Sequence, residues 1–260
     1  MKPTETKSPI KNLPVHAPGQ SLSRKIDDLF DDEITVYSVW SLFVVFLAAF
    51  EWYRYFKKLP PAPKSATFMA AVVVSYSAYR IIKAIKKVKT LKLGRDGERA
   101  VGQFLEEKLR PMGCQVLHDI IGDDFNVDHL VIGPTGIFTI ETKTYNKPAK
   151  GASRVVFDGE QVTVNGFTPD RDPIVQAKAE AKWISDLLAE STGRRFYVHP
   201  ILLYPGWFVE TTKANSDLYV LNDTLTPTYI KNARNPLSAE DIAMITFHMK
   251  RYVIAKDSGK

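Results

Sequence analysis

The sequence predicts a mixed α/β domain, a sheet flanked by helices, carried behind an N-terminal hairpin of two apolar transmembrane helices. Three observations lead there. Two apolar runs lie close together in the first third of the chain. From Leu93 onward, helix-like and strand-like hydrophobic periods alternate. Glycine and proline stand between those segments as turn and stop signals.

Residues 1–33 are polar and rich in Pro, Ser, Lys and Asp, and read as a flexible tail in which only 25–33 has weak helical character. Residues 34–92 read as a membrane anchor. The first run, 34–50 (ITVYSVWSLFVVFLAAF), has no charge over 17 residues, and the helix is predicted over about 34–56. A helical span needs about 20 mostly apolar residues, with a lower limit near 17. Trp52, Tyr53, Tyr55 and Phe56, interleaved with Arg54, Lys57 and Lys58, suit the lipid–water interface. Five acids (Asp27, Asp28, Asp31, Asp32 and Glu33) precede the run, the opposite of a secretory signal's basic start. Three prolines in LPPAPKS, 59–65, end the helix. A second helix is predicted over about 66–86, with Arg80 and Lys83 snorkelling to the interface; it reads as a second span, the alternative being a helix that lies on the membrane surface. Arg80, Lys83, Lys86, Lys87, Lys89, Lys92 and Arg95 outnumber the basic residues of the loop between the runs. That places the C-terminal part in the cytoplasm, beneath an inner or cytoplasmic membrane.

Residues 93–260 form the α/β part. A helix is predicted over 94–110, because Val101, Phe104, Leu105 and Leu109 recur at helical spacing before Pro111 and Gly113. Strands follow at about 115–120, 126–132 and 137–143, with a hairpin centred on Asp158-Gly159. A helix over 173–190 begins on Pro173 and stops before Gly193. A strand at 197–203 and a last helix from Ser238 to about 255, opened by a weak capping box, complete one mixed sheet with flanking helices.

The formal charge of +6 is unevenly placed. Residues 1–92 hold 15 Lys+Arg against 7 Asp+Glu, or +8. Residues 93–260 hold 20 against 22, or −2. The basic excess therefore suits a membrane surface rather than a nucleic-acid groove. The single cysteine, Cys114, excludes an internal disulfide and a zinc site of paired cysteines, and fits a reducing compartment.

Chemistry concentrates between 126 and 143. Asp128 opens one strand, and Glu141 and Lys143 end the next, with the turn GPTG (133–136) between them. Counted symmetrically about Pro134-Thr135, residue 132 faces 137 and 128 faces 141, which puts two carboxylates side by side. A glycine bulge at Gly136 would slip that pairing by one. Glu141 and Lys143, two apart, share a strand face. Paired carboxylates bind a hard divalent cation, and a neighbouring ammonium can orient water and offset developing charge.

This spacing resembles the PD-(D/E)xK nuclease superfamily, and within it the nuclease-related domain (NERD) family. The resemblance runs from about Gly94 to Tyr204. It rests on GRDGERAVGQFL (94–105), VLHDI (116–120), NVDHLVIGPTGIFTIETKTY (126–145) and DPIVQAKAEAKWI (172–184). It implies a restriction-endonuclease-like fold and a site of Glu98, Asp128, Glu141, Lys143 and Gln176. Glu98, Asp128 and Glu141 would hold Mg²⁺ or Mn²⁺, Lys143 would activate water and Gln176 would support the arrangement. The implied activity is metal-dependent hydrolysis of nucleic-acid phosphodiesters, with DNA as the expected partner and lipid as the second. The alternative is a catalytically silent, membrane-tethered module that binds nucleic acid or protein, which the −2 balance of the soluble part favours. His118, His129 and His199 read as structural, and Trp183 as core. Lys147, Lys150 and Arg154 are candidates for phosphate contact, and Tyr145 for stacking on a base.

Overall fold

The computed structural model describes residues 16–60, 62–122, 125–148, 153–213 and 217–258. The described residues divide into two compact units, residues 21–95 and residues 16–20 with those from 96 onward.

In the first unit, α1 (Gln20–Leu29) and a π-helical turn (Phe30–Thr35) lead into α2 (Val36–Phe56). Residues 20–33, expected as tail, are thus helical. Charged and apolar residues alternate there at helical spacing, and no proline or glycine interrupts 20–56. All 21 residues of α2 lack a buried side chain, although the helix is apolar around its whole circumference. At its C-terminal end Arg54 donates to Glu51 Oε1 (2.8 Å) and to the Pro60 carbonyl (2.7 Å), while Ala62 N donates to Glu51 Oε2 (3.0 Å). Trp52 Nε1 donates to Thr67 Oγ1 across the turn at 3.0 Å. At the other end Arg80 makes two bonds to Glu33 (2.7 and 2.8 Å) and lies over the Tyr37 ring at 4.8 Å. Arg80 is therefore ion-paired to a neighbouring helix, not snorkelling alone.

α3 runs unbroken over Pro63–Leu109, where separate helices over 66–86 and 94–110 were expected. Gly94 and Gly97 each weaken a helix by only about 1 kcal/mol, and the intervening KKVKTLK holds strong helix formers and no proline. Two helices, Gln20–Phe56 and Pro63–Met112, are long and apolar enough to cross a membrane by length and composition.

The second unit is mixed α/β. Its main sheet has the order β1-β2-β3-β6-β8, with β1 (Gln115–Ile121), β2 (Asn126–Gly133), β3 (Gly136–Thr142), β6 (Val198–Leu203) and β8 (Tyr219–Leu221). β1, β2 and β3 are antiparallel, whereas β3, β6 and β8 are parallel. β4 (Arg154–Phe157), β5 (Val162–Val164) and β7 (Phe208–Thr211) form a separate three-stranded sheet, where a single sheet was expected. β7, β8 and the short α5 (Thr226–Asn232) were not anticipated. Strands of three or four residues are too short to show a period.

Alternation along β2 and β3 sorts the core into layers. Val131, Phe138 and Ile140 pack with Val101, Leu105 and Leu109 of α3. Leu130, Ile132 and Ile137 pack with Ile184 and Leu188 of α4 (Pro173–Thr192) and with Ile245 and Met249 of α6 (Ala239–Ser258). The helices thus cover both faces, and the polar residues at the C-terminal end of β3 emerge where this apolar packing stops.

Candidate active site

Pairing of β2 with β3 runs from Gly133↔Gly136 through Ile132↔Ile137 to His129↔Ile140. No bulge slips it, and the pairing ends at His129↔Ile140, with Asp128 and Glu141 the residues that follow on the two strands, in the order turn symmetry requires. Gly136 has φ +144°, a conformation that side chains rarely adopt, and this closes the two-residue loop without shifting the register.

Asp128 is half-buried, and its Oδ2 accepts from the Thr142 backbone N at 2.8 Å. Glu141 is buried, and its Oε1 accepts from Lys143 Nζ at 2.6 Å. The same ammonium donates to Gln176 Oε1 at 2.9 Å, and Gln176 Nε2 donates back to Glu141 Oε1 at 2.8 Å. Lys143, Gln176 and Glu141 therefore close a three-membered ring of hydrogen bonds. Gln176 reaches it because Asp172 caps α4, accepting from Ile174 N (2.9 Å) and Val175 N (3.4 Å), so that the helix begins beside the end of β3.

Glu98 is buried in α3, and its charge is felt at Asp128. Its neighbour Gly97 lies so close to Thr144 that a Cβ there would stand 1.9 Å from Thr144 Oγ1. Glu141, Lys143 and Gln176 thus come into contact, with Asp128 on the adjacent strand, and Glu98 is linked to them by its charge at Asp128.

A sixth, Glu180, was missed. It is 1% exposed and accepts from Gln176 Nε2 at 2.9 Å. The available signal was positional: Ile174, Ala177, Ala181, Ile184 and Leu188 mark the buried face of α4, and residue 180 falls on it.

Burial, then the charges of Glu141, Glu98 and Glu180, hold the Asp128 carboxyl well above the usual carboxylate range, against the Thr142 N–H. Burial and then Glu141 push Glu180 up to about 10. Burial acts against the Lys143 ammonium, but Glu141, Asp128 and Glu180 outweigh it and raise its pKa. Three carboxyl groups thus act on one ammonium, and a fourth, Glu98, acts on Asp128. Glu141 Oε2 and Glu180 Oε2 are buried without a hydrogen-bond partner. Such a surplus of hard oxygen donors fits a divalent cation. Among the described residues, no group of three His, Cys, Asp or Glu side chains is already placed to hold one. Lys143 and Gln176 occupy Glu141 Oε1, and Thr142 N occupies Asp128 Oδ2.

Of the remaining candidates that are described, Tyr145 lies within reach of the Lys143 charge, and the others have partners of their own. His118 Nδ1 and His129 Nδ1 share a hydrogen bond of 2.9 Å, His118 Nε2 meets Glu106 at 3.2 Å, and burial lowers the pKa of both rings. His199 stacks on Phe138 and bonds Asn235 at 2.6 Å. Trp183 packs edge-on to Phe125 and Tyr252 in the core. Lys147 donates to the Gly206 carbonyl at 2.5 Å, and Arg154 pairs with Glu210 at 3.1 Å. Lys150 lies outside the described residues. Tyr145 already stacks on Tyr204, with ring centroids 6.2 Å apart.

Residues 93–205 match the family model described as nuclease-related domain. An uncharacterized protein of Bacillus anthracis is 42% identical over 57 residues, covering 20% of this chain and 26% of that protein. The chain thus spans about a quarter of the length of the curated relative it matches. No solved structure matches the chain.

Proposed function

Residues 93–205 belong to the nuclease-related domain family, among the PD-(D/E)xK-like nucleases, and from that premise we propose that the chain is a membrane-anchored, metal-dependent nuclease acting on DNA at the cytoplasmic face, with a restriction-endonuclease-like fold. The observation that carries this reading is the Lys143 ammonium held against Glu141, with Asp128 on the adjacent strand one residue past the last pair, His129↔Ile140.

In this reading Glu98, Asp128 and Glu141 hold Mg²⁺ or Mn²⁺. Bound there, the cation supplies Lewis-acid polarisation of a phosphate oxygen and a lowered pKa for water. Lys143 brings a permanent positive charge to the point where negative charge develops on the attacked phosphate. Glu141 and Gln176 restrict that ammonium to one position, so little reorganisation accompanies reaction. Asp128, bonded to the Thr142 N–H, keeps the ends of β2 and β3 together as the acids gather.

The anchor reading rests on α2. Its 21 residues extend about 32 Å at 1.5 Å each, close to the roughly 30 Å hydrocarbon core of a bilayer. Its apolar residues find no protein cover within its unit, which suits lipid as the partner. The basic residues after the second apolar run orient the domain toward the cytoplasm.

The test uses the full chain in detergent micelles with DNA and RNA substrates, with Mg²⁺, Mn²⁺ or chelator. Cleavage is expected with metal and lost with chelator, and Lys143→Ala is expected to cost about 100-fold or more. Equal cleavage by wild type and Lys143→Ala, or none with either metal, would retire the enzymatic reading and leave the silent binding module. Membrane anchoring predicts that the chain stays in the membrane fraction after alkaline carbonate extraction; release into the supernatant would end that part.

A further inference from the structure

The ring formed by Glu141, Lys143 and Gln176 has an unexplained support. Gln176 is an amide with two N–H donors on one side and one carbonyl on the other. Nε2 donates to Glu141 Oε1 (2.8 Å) and to Glu180 Oε1 (2.9 Å), while Oε1 receives Lys143 Nζ (2.9 Å). Turning the amide over would set its NH₂ against an ammonium and its oxygen between two carboxyl oxygens. All three contacts therefore act together to fix one orientation.

Of the three, the bond to Glu180 alone comes from Gln176's own helix, one turn further on. It fixes the amide relative to α4, independently of the strand residues that the amide must hold. Glu180 is a poor choice for stability. It is 1% exposed in an apolar layer with Ala177, Ala181 and Ile184, and its second oxygen is buried without a partner. A leucine would fill that volume at no desolvation cost. A buried acid that weakens the fold and bonds a site residue is what a functional constraint leaves behind.

We propose that Glu180 is a positioning residue: it holds the Gln176 amide from the helix side, so that the amide carbonyl faces Lys143 and keeps the ammonium beside Glu141. It acts through Gln176 and through its own contact with the Glu141 carboxyl, and does not touch substrate. The kinetic part of the proposal rests on the nuclease reading; the positional part does not.

The experiment combines both on the full chain in micelles. Glutamine-selective ¹⁵N labelling resolves five side chains, and the Gln176 signal is identified by its loss in Gln176→Leu. In wild type, both Gln176 amide protons are expected to be protected from solvent exchange; exchange at the rate of an exposed glutamine overturns the proposal, whatever the variants do. Glu180→Leu is expected to release one of the two protons and to lower kcat about tenfold with little change in KM. It is also expected to melt no earlier than wild type, which a purely structural residue would not do. Glu180→Gln keeps an acceptor oxygen and is expected to recover most of the lost kcat. In the Gln176→Leu background, Glu180→Leu should cost less than it does in wild type. Full multiplication of the two losses, or activity loss that simply follows a lowered melting temperature, overturns the proposal. If wild type cleaves nothing, the nuclease reading fails, and the exchange measurement still decides whether Glu180 holds the amide.

Discussion

Replacing Gly97 with alanine should damage the site from outside it. The added Cβ would lie 1.9 Å from Thr144 Oγ1, 2.8 Å from Thr144 Cβ and 3.0 Å from Thr144 Cγ2. Rotation about the Thr144 Cα–Cβ bond can relieve the first and third contacts, and Oγ1 has no hydrogen bond to lose. Rotation cannot move Cβ. The 2.8 Å contact falls well short of the usual separation of about 3.5–4.0 Å between carbon atoms, so the backbone after β3 must shift. Overpacking of this kind costs about 1–3 kcal/mol, and the better helix propensity of alanine returns about 1 kcal/mol. The net loss expected is thus about 0–2 kcal/mol, read from chemical denaturation of the full chain in micelles. Thr144 follows Lys143 directly, so the same shift displaces the ammonium, and a displacement near 1 Å can cost about 100-fold in rate. Gly97→Ala should therefore lose far more activity than stability. Thr144→Gly removes the opposing atoms, and Gly97→Ala/Thr144→Gly should recover stability relative to Gly97→Ala alone. Wild-type activity in Gly97→Ala, or no recovery in the double variant, would refute the reasoning.

Other outcomes follow from the charges. Asp128→Asn keeps an acceptor for the Thr142 N–H and removes a carboxylate held among other acids; it should abolish cleavage yet raise stability by about 1 kcal/mol, measured by urea unfolding. Glu180 has a folded pKa of about 10, above its unfolded value, so the folded state binds more protons between the two and stability falls as pH rises across that window. With chelator present, Glu180→Gln should flatten the stability profile on the alkaline side. His118 and His129 have depressed folded values, so their contribution is present above the ordinary histidine pKa and is lost on acidification; the wild-type melting temperature should fall below about pH 6. Arg80→Ala leaves Glu33 without its two bonds and should lower the melting temperature in micelles, and Glu33→Ala/Arg80→Ala should recover part of the loss.

The site was legible where chemistry and local geometry coincide. The two-residue turn at Pro134-Thr135 fixes which residues oppose each other, so the adjacency of Asp128 and Glu141 followed from counting, and Glu141 and Lys143 from strand alternation. Glu98 and Gln176 came only through the family resemblance, because their partners are distant in sequence. Glu180 was hidden by its own helix: one acid on a regular apolar face resembles an ordinary exposed residue until the facing sheet is known. The approach of Gly97 to Thr144 is likewise a packing fact with no local signature. In the fold, the long strands and α4 were legible from their periods. The continuity of α3 was not, because a glycine pair reads as a boundary when neighbouring propensities are not summed. The division into two sheets depends on pairing among strands too short to carry a pattern.

β3 lies between β2 and β6 in the middle of five strands, and each of its seven residues is buried. Its amides should be among the slowest to exchange with deuterated solvent, opening only when the whole unit opens. Glu141 sits within that strand, so its carboxyl has no private route to disorder. Warming should not produce a folded but idle protein: heat inactivation and global unfolding should share one midpoint. Adaptation to different substrates would then fall to the more loosely tied segments around the strand.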